Sequence, residues 1–185
     1  KRLSNKLMNA AETIRDDSRW SGVDRYALDV REKHVSLFLD KQIPMATEFR
    51  GIINPIDVDE YKSRNGFRGM ERVLKKMSPA EVIDMIIESG IRGRGGGGFP
   101  TGRKWEYAYN NKSNEKYVIC NADEGDPGAY SDMYLMEHQP FKVLFGMYLS
   151  GLCVGADTGD LYIRGEYPES VRTVENAINY LNTHD

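Results

Sequence analysis

The sequence predicts an α/β protein, with a parallel or mixed sheet and flanking helices. Three observations carry this. Two short segments rich in β-branched and aromatic residues, "KYVIC" and "DLYIRG", read as strands. Each is followed at a distance by a helical pattern of apolar residues. Strands that alternate with helices in this way build layered α/β domains.

In chain order, "HVSLFLDKQIPMAT" (34–47) is read as holding a strand, and the charged residues before it as helical or loose. "NPIDVDEYKSRNGFRGMERVLKKM" predicts two short helices broken at Asn65-Gly66. "SPAEVIDMIIESG" carries a nearly complete helix grammar. Ser78 caps, Pro79 occupies the first turn, Glu81 closes a capping box and Gly90 stops the helix. Its apolar residues Val82, Ile83, Ile86 and Ile87 share one face. "TGRKWEYAYNN" predicts a short helix ending at two asparagines, and "KYVIC" a strand entering the acidic loop "NADEGDPGAYSD". The next helix is expected from about Pro140, over "FKVLFGMYLSGLCVGA". The second strand is "DLYIRG". "ESVRTVENAINYL" is an amphipathic helix with Val171, Val174, Ile178 and Leu181 on one side.

Composition narrows the function. The formal net charge is −3, which argues against nucleic acid as a main partner. No apolar run approaches the roughly 20 residues of a membrane span. The basic N-terminus lacks the apolar stretch of a secretory signal. Cys120 and Cys153 are too few and too far apart for a metal or disulfide framework, and are expected reduced and buried in a cytoplasmic protein. With no initiator Met and an end just after a helical pattern, the sequence reads as a fragment.

"IRGRGGGGFPTGRKW", Ile91 to Trp105, contains six glycines. Successive unobstructed N–H groups make a concave anion site, and a helix N-terminus beyond them adds positive potential. Arg103 and Lys104 lie in that helix's first turn, where the macrodipole disfavours cations unless an anion is expected alongside. Gly93, Gly95 and Gly98 match G-x-G-x-x-G, but after a helix where the dinucleotide fingerprint needs a strand. A P-loop fails because Arg103-Lys104-Trp105 follows Gly102. A phosphate-binding loop and a flexible linker remain as readings, with Phe99, Pro100 and Trp105 favouring the former.

"CNADEGDPGAYSD" gathers Asp123, Glu124, Asp126 and Asp132. As a calcium loop it lacks the glycine at the sixth place and the final Glu. Asn121 both donates and accepts, which suits a polar heterocycle or ribose hydroxyls. His34, His138 and His184 are scattered, and His138 is read as a surface or helix-entry residue. With no acid–base pair in view, the chemistry points to a cofactor that the protein holds and orients.

Together "IRGRGGGGFPTGRKW", "CNADEGDPGAYSD" and "YIRGEYP" resemble, in order, the motifs of the NADH-binding FMN flavoprotein subunits. That family comprises the complex I flavin subunit and its relatives in NAD-linked hydrogenases, formate dehydrogenases and electron-bifurcating complexes. The resemblance runs from about Gly51 to the end. It leaves 1–50 as an unassigned N-terminal extension and implies that 51–185 is the N-terminal part of an incomplete FMN/NADH-binding domain. It implies that Gly93, Arg94, Gly95, Gly96 and Lys104 hold the FMN phosphate and ribityl chain. Asn121, Asp123 and Glu124 contact the flavin and its hydroxyls. Phe99 and Tyr107 stack on the NADH adenine, with Lys104 also in reach, and Asp126 lies towards the nicotinamide. No residue in the chain is implied as a general acid or base.

The implied activity is NADH:acceptor oxidoreduction, a hydride passing between NADH and FMN and single electrons passing to an iron–sulfur chain. The implied partners are a thioredoxin-like 2Fe–2S subunit and a further electron-transfer or catalytic subunit. A 4Fe–4S cluster is expected only in a region beyond Asp185, and no metal is expected within this sequence. No membrane insertion is implied, and the location is cytoplasmic, in solution or on the cytoplasmic side of a membrane complex. A scaffold subunit without turnover, or a bifurcating subunit linked to ferredoxin, are the rival readings. The sequence departs from the family at Gly97 (usually Ala), Asp126 (Glu), Ser131 (Lys) and Met133 (Arg).

Overall fold

The computed structural model describes residues 33–183. The chain divides between Pro44 and Met45 into two units. In the first, the described residues form helix α1 (Lys33–Leu39). The strand expected in 34–47 is therefore replaced at its start by a helix. An isolated strand leaves its backbone groups without partners, whereas here Asp40 N–H donates to Ser36 O at 2.8 Å, closing a local turn.

The second unit is α/β, as the alternation of segments predicts. Its elements are α2 (Val58–Ser63), α3 (Arg68–Lys76), α4 (Pro79–Ser89), α5 (Thr101–Asn110), β1 (Tyr117–Ala122), α6 (Ser131–His138), α7 (Pro140–Val154), β2 (Thr158–Ile163) and α8 (Pro168–Thr183). The break between α2 and α3 falls at Asn65, whose φ of 59° is one that Asn tolerates. The capping box of α4 forms as read, with Ser78 Oγ and the Glu81 carboxylate each accepting the other's backbone N–H. Gly90 ends the helix in the left-handed conformation.

Helix α6 lies between the acidic loop and the helix expected from Pro140, over residues for which the sequence predicts no element. Its signal is weak, because only Met133 and Met136, three residues apart, are buried. His138, read as a surface or helix-entry residue, stands just before Gln139, the N-cap of α7, and is also the last residue of α6; its ring stacks on Tyr134 with centroids 5.9 Å apart. In α8 the buried seam is Ser170, Val174 and Ala177, while Leu181 on the expected apolar face is exposed. Small side chains let α8 approach α6 closely, where Ser170 Oγ donates to Glu137 Oε1 at 3.1 Å.

Among the described residues, two clusters of side chains anchor the core, and α7 contributes to both. Val58, Tyr61, Phe141 and Ala177 pack with Phe49, Phe67 and Leu144. Val73, Val82, Ile83 and Cys153 pack with Ile86, Ile87, Trp105 and Leu149. Residues just before 51 join this unit, for Lys142 Nζ lies 2.7 Å from Glu48 Oε1 and Arg50 stands over the Tyr134 ring.

Strands β1 and β2 pair in parallel, in register from Tyr117↔Thr158 to Ala122↔Ile163. Val118, Cys120 and Ala122 turn inward, whereas Tyr117, Ile119 and Asn121 face out. Lys116, just before β1, sends Nζ to Ala108 O (2.8 Å), Tyr109 O (3.2 Å) and Val154 O (2.9 Å), closing the C-terminal ends of α5 and α7 together. Parallel pairing puts both strand ends on one side of the unit. The acidic loop and the Arg164–Tyr167 segment leave from there, the usual ligand side of such sheets.

Candidate functional site

The glycine loop is pinned at its base and is not a free linker. Arg92 and Pro100 form an antiparallel bridge. Gly93 N–H donates to Phe99 O (2.9 Å), Thr101 N–H to Ile91 O (3.0 Å), and Arg92 Nη1 to Gly98 O (3.0 Å). Within this closure Gly96 and Gly98 take φ of 103° and 58°, which side chains rarely adopt. Nothing stands within 4 Å of where a Cβ would be at Gly95 or Gly96, so the loop keeps open space in front of its amides.

The acidic loop has a different construction. Asp123 N–H donates to Asn121 Oδ1 (3.1 Å), which leaves the Asn121 amide nitrogen as the outward donor. Ala129 N–H donates to Asp126 O (3.1 Å) across a turn through Gly128, at φ 84°. Glu124 differs from its neighbours. It is 8% exposed, and its carboxylate accepts from Ser131 Oγ (2.9 Å), Asp132 N (3.1 Å) and Met133 N (3.3 Å) at the N-terminus of α6. Burial alone would raise its pKa, but these donors more than offset burial and hold the carboxyl below the usual glutamate range. At Asp132 burial, and then the charge of Glu124, push the pKa up.

The two loops enclose a cavity of about 420 Å³. It gathers seven of the residues singled out from the sequence: Arg94, Gly95, Gly96, Asn121, Asp123, Glu124 and Asp126. Asp132 of the same acidic cluster also lines it, with Ala129 and Ser131, to which the sequence assigns no part in the site. Four others do not line it. Gly93 sits at the base of the loop, and Lys104 is exposed in the first turn of α5. Phe99 and Tyr107 lie side by side on the surface, ring centroids 6.4 Å apart and 49% and 65% exposed. Of the two cations in that first turn, Arg103 is held by Glu106 at 2.8 Å, whereas Lys104 has no ion-pair partner among the described residues.

The cavity is polarised. Arg94 and the glycine amides stand on one side, Asp123, Asp126 and Asp132 on the other, and an amide donor lies at the end of β1. A phosphate ester carrying a polyhydroxylated chain and a polar heterocycle fits that donor set: donors for the phosphate, acceptors for hydroxyls, an amide for the ring. FMN has this composition. A second cavity, of about 320 Å³ at the opposite strand ends, is lined by residues such as Val118, Met147, Leu152 and Asp157 and has no basic side chain.

The architecture and sequence have relatives. The model of the Nuo51 FMN-binding domain matches residues 86–185. An NADP-reducing hydrogenase subunit HndC of Solidesulfovibrio fructosivorans is 45% identical over 139 residues, covering 75% of this chain and 28% of its own length. A component of the NADH-quinone oxidoreductase of Aquifex aeolicus is 43% identical over 121 residues, covering 65% of this chain and again 28% of its own. A crystal structure of an NAD+-reducing NiFe-hydrogenase superposes with a TM-score of 0.59 at 30% identity, over 77% of this chain and 23% of that one. The chain thus spans under a third of the curated relatives it matches.

Proposed function

Because the chain belongs to the Nuo51 FMN-binding domain family, we propose that it forms part of an NADH-oxidising, or NAD+-reducing, flavin subunit of a multisubunit oxidoreductase. The observation that carries this reading is the cavity that joins a pinned glycine loop to an acidic loop at the strand ends. FMN, when bound, supplies the hydride acceptor and the one-electron donor, chemistry that no side chain in the cavity offers.

The residues bind, orient and exclude. Arg94 and the amides of Gly95 and Gly96, which line the cavity, hold the phosphate, and Lys104, outside the lining, serves the nucleotide. Asp123 accepts from the hydroxyls of the ribityl chain, and the Asn121 amide fixes the ring. Phe99 and Tyr107 form an aromatic platform for the adenine of NADH, since exposed rings in contact offer stacking surface at little entropic cost. Asp126, exposed at the turn, accepts from the nucleotide and disfavours a second phosphate there. Iron–sulfur centres in the rest of the subunit and in partner subunits, a thioredoxin-like 2Fe–2S protein among them, would take up the electrons.

A relative named for reducing NADP makes NADPH the competitor to examine. An anaerobic titration of the full chain with NADH and with NADPH, followed by flavin absorbance, tests the reading. Bleaching by NADH and not NADPH is the expected result. A flavin that neither nucleotide bleaches leaves a cofactor-holding scaffold, and absence of flavin overturns the assignment of both loops.

A further inference from the structure

Glu124 stands apart from the acidic residues around it because the protein itself occupies its carboxylate. A carboxylate has about four acceptor sites. Here Oε1 takes Ser131 Oγ and Asp132 N–H, and Oε2 takes Met133 N–H and, at 3.5 Å, the Tyr167 hydroxyl. Tyr167 is itself buried at the start of α8. The backbone carbonyl of Glu124 is engaged too. It accepts from Arg164 Nη1, whose remaining nitrogens fork onto Glu166 at 3.2 and 2.9 Å while the guanidinium stands 5.4 Å from the Tyr167 ring centroid. One residue of the acidic loop is therefore tied to the N-terminus of α6 by its side chain and to the end of β2 by its main chain.

We propose that Glu124 and Arg164 are positioning residues for this cavity. They act through Asp123, the residue before Glu124, and Asp126, two residues after it, whose placement the double tie fixes. This rests on the flavin reading of the cavity and reassigns Glu124 within it, from a group that contacts the ligand to one that holds those that do. The motif Arg164-Gly165-Glu166-Tyr167 acquires a role by the same argument. Arg164 is the clamp, Glu166 orients its guanidinium, and Tyr167 closes the Glu124 carboxylate from the other side. The geometry of an Arg fork is not reproduced by Lys, which keeps the charge but loses the planar pair of donors.

The test uses the full chain and the variants Glu124→Gln and Arg164→Lys, with amide hydrogen exchange measured before any flavin is added. In Glu124→Gln the amides of Asp132 and Met133 are expected to exchange about tenfold faster or more, as a charge-assisted acceptor is lost. Those of Cys153 and Val174, in the core, stay protected. The FMN dissociation constant then rises by about the same factor, and the visible circular dichroism of the bound flavin changes. Arg164→Lys shifts the same quantities in the same direction, and carries the test if Glu124→Gln does not fold. Unchanged exchange at Asp132 and Met133 overturns the clamp. Faster exchange with unaltered FMN affinity and dichroism overturns the positioning role. Failure of the unaltered chain to bind FMN is a separate outcome, which overturns the flavin reading and with it the positioning of a flavin site.

Discussion

Gly102 and Ile87 bring helices α5 and α4 into backbone contact. A Cβ on Gly102 would stand 2.6 Å from the Ile87 nitrogen and 2.8 Å from its Cα. This glycine of the "GFPTG" segment therefore serves packing and not the anion nest. Gly102→Ala is expected to destabilise the fold by roughly 1–3 kcal/mol or more, as overpacking against backbone does. Gly97→Ala, where φ is ordinary and nothing stands within 4 Å, should stay within about 0.5 kcal/mol. Urea denaturation of both variants separates the two roles.

Lys116 closes two helices with one ammonium. Removing the charge in Lys116→Met leaves the carbonyls of Ala108 and Val154 without it. The expected loss is about 1–3 kcal/mol, because hydrogen bonds to a charged group are worth more than neutral ones. Thermal unfolding reads it directly. A melting temperature unchanged from the parent would contradict the bridge.

Cys153 is fully buried, and burial pushes its thiol up to about 11; burial first, and then the charge of Asp132, also raise Cys120. The folded pKa of Cys153 is raised above the unfolded value of about 8.5. Its contribution to stability is therefore fully present below that pH and is lost as pH climbs towards 11. Native protein at pH 8 should leave Cys153 unlabelled by iodoacetamide and label the half-buried Cys120 slowly, whereas unfolded chain labels at both. Native modification of Cys153, read by peptide mass mapping, would contradict its placement.

The Phe99–Tyr107 platform predicts a selective defect. Phe99→Ala and Tyr107→Ala should each weaken NADH binding by about 0.5–1.5 kcal/mol, the worth of a ring stack. FMN affinity should be unchanged, since neither ring lines the cavity. Equal losses for both ligands would place the rings elsewhere in the mechanism.

Local grammar made much of the fold legible. The α4 capping box and the Asn65-Gly66 break are read from single residues whose conformational demands leave few alternatives. Parallel pairing of β1 with β2 follows from the helix between them. The failures share a cause, which is dependence on long-range partners. Helix α6 starts without a side-chain cap of its own, because its N-terminal amides are satisfied by Glu124 from the preceding loop. At the site, the sequence brought the two loops to attention through their composition. It did not distinguish Glu124 from Asp123, because burial and the Arg164 tie, made across 40 positions, are written in neither motif.

The central claim, that the cavity between the two loops holds FMN by its phosphate, is tested most directly by fluorescence-quenching titrations. FMN and riboflavin are each titrated against the full chain and its Arg94→Met variant. The expected result is stoichiometric FMN binding, at least about 10-fold tighter than riboflavin as a phosphate held by a charge-assisted contact and the loop amides requires, with the gap largely closed in the variant. Equal affinity for the two flavins, or no binding of either, would contradict it.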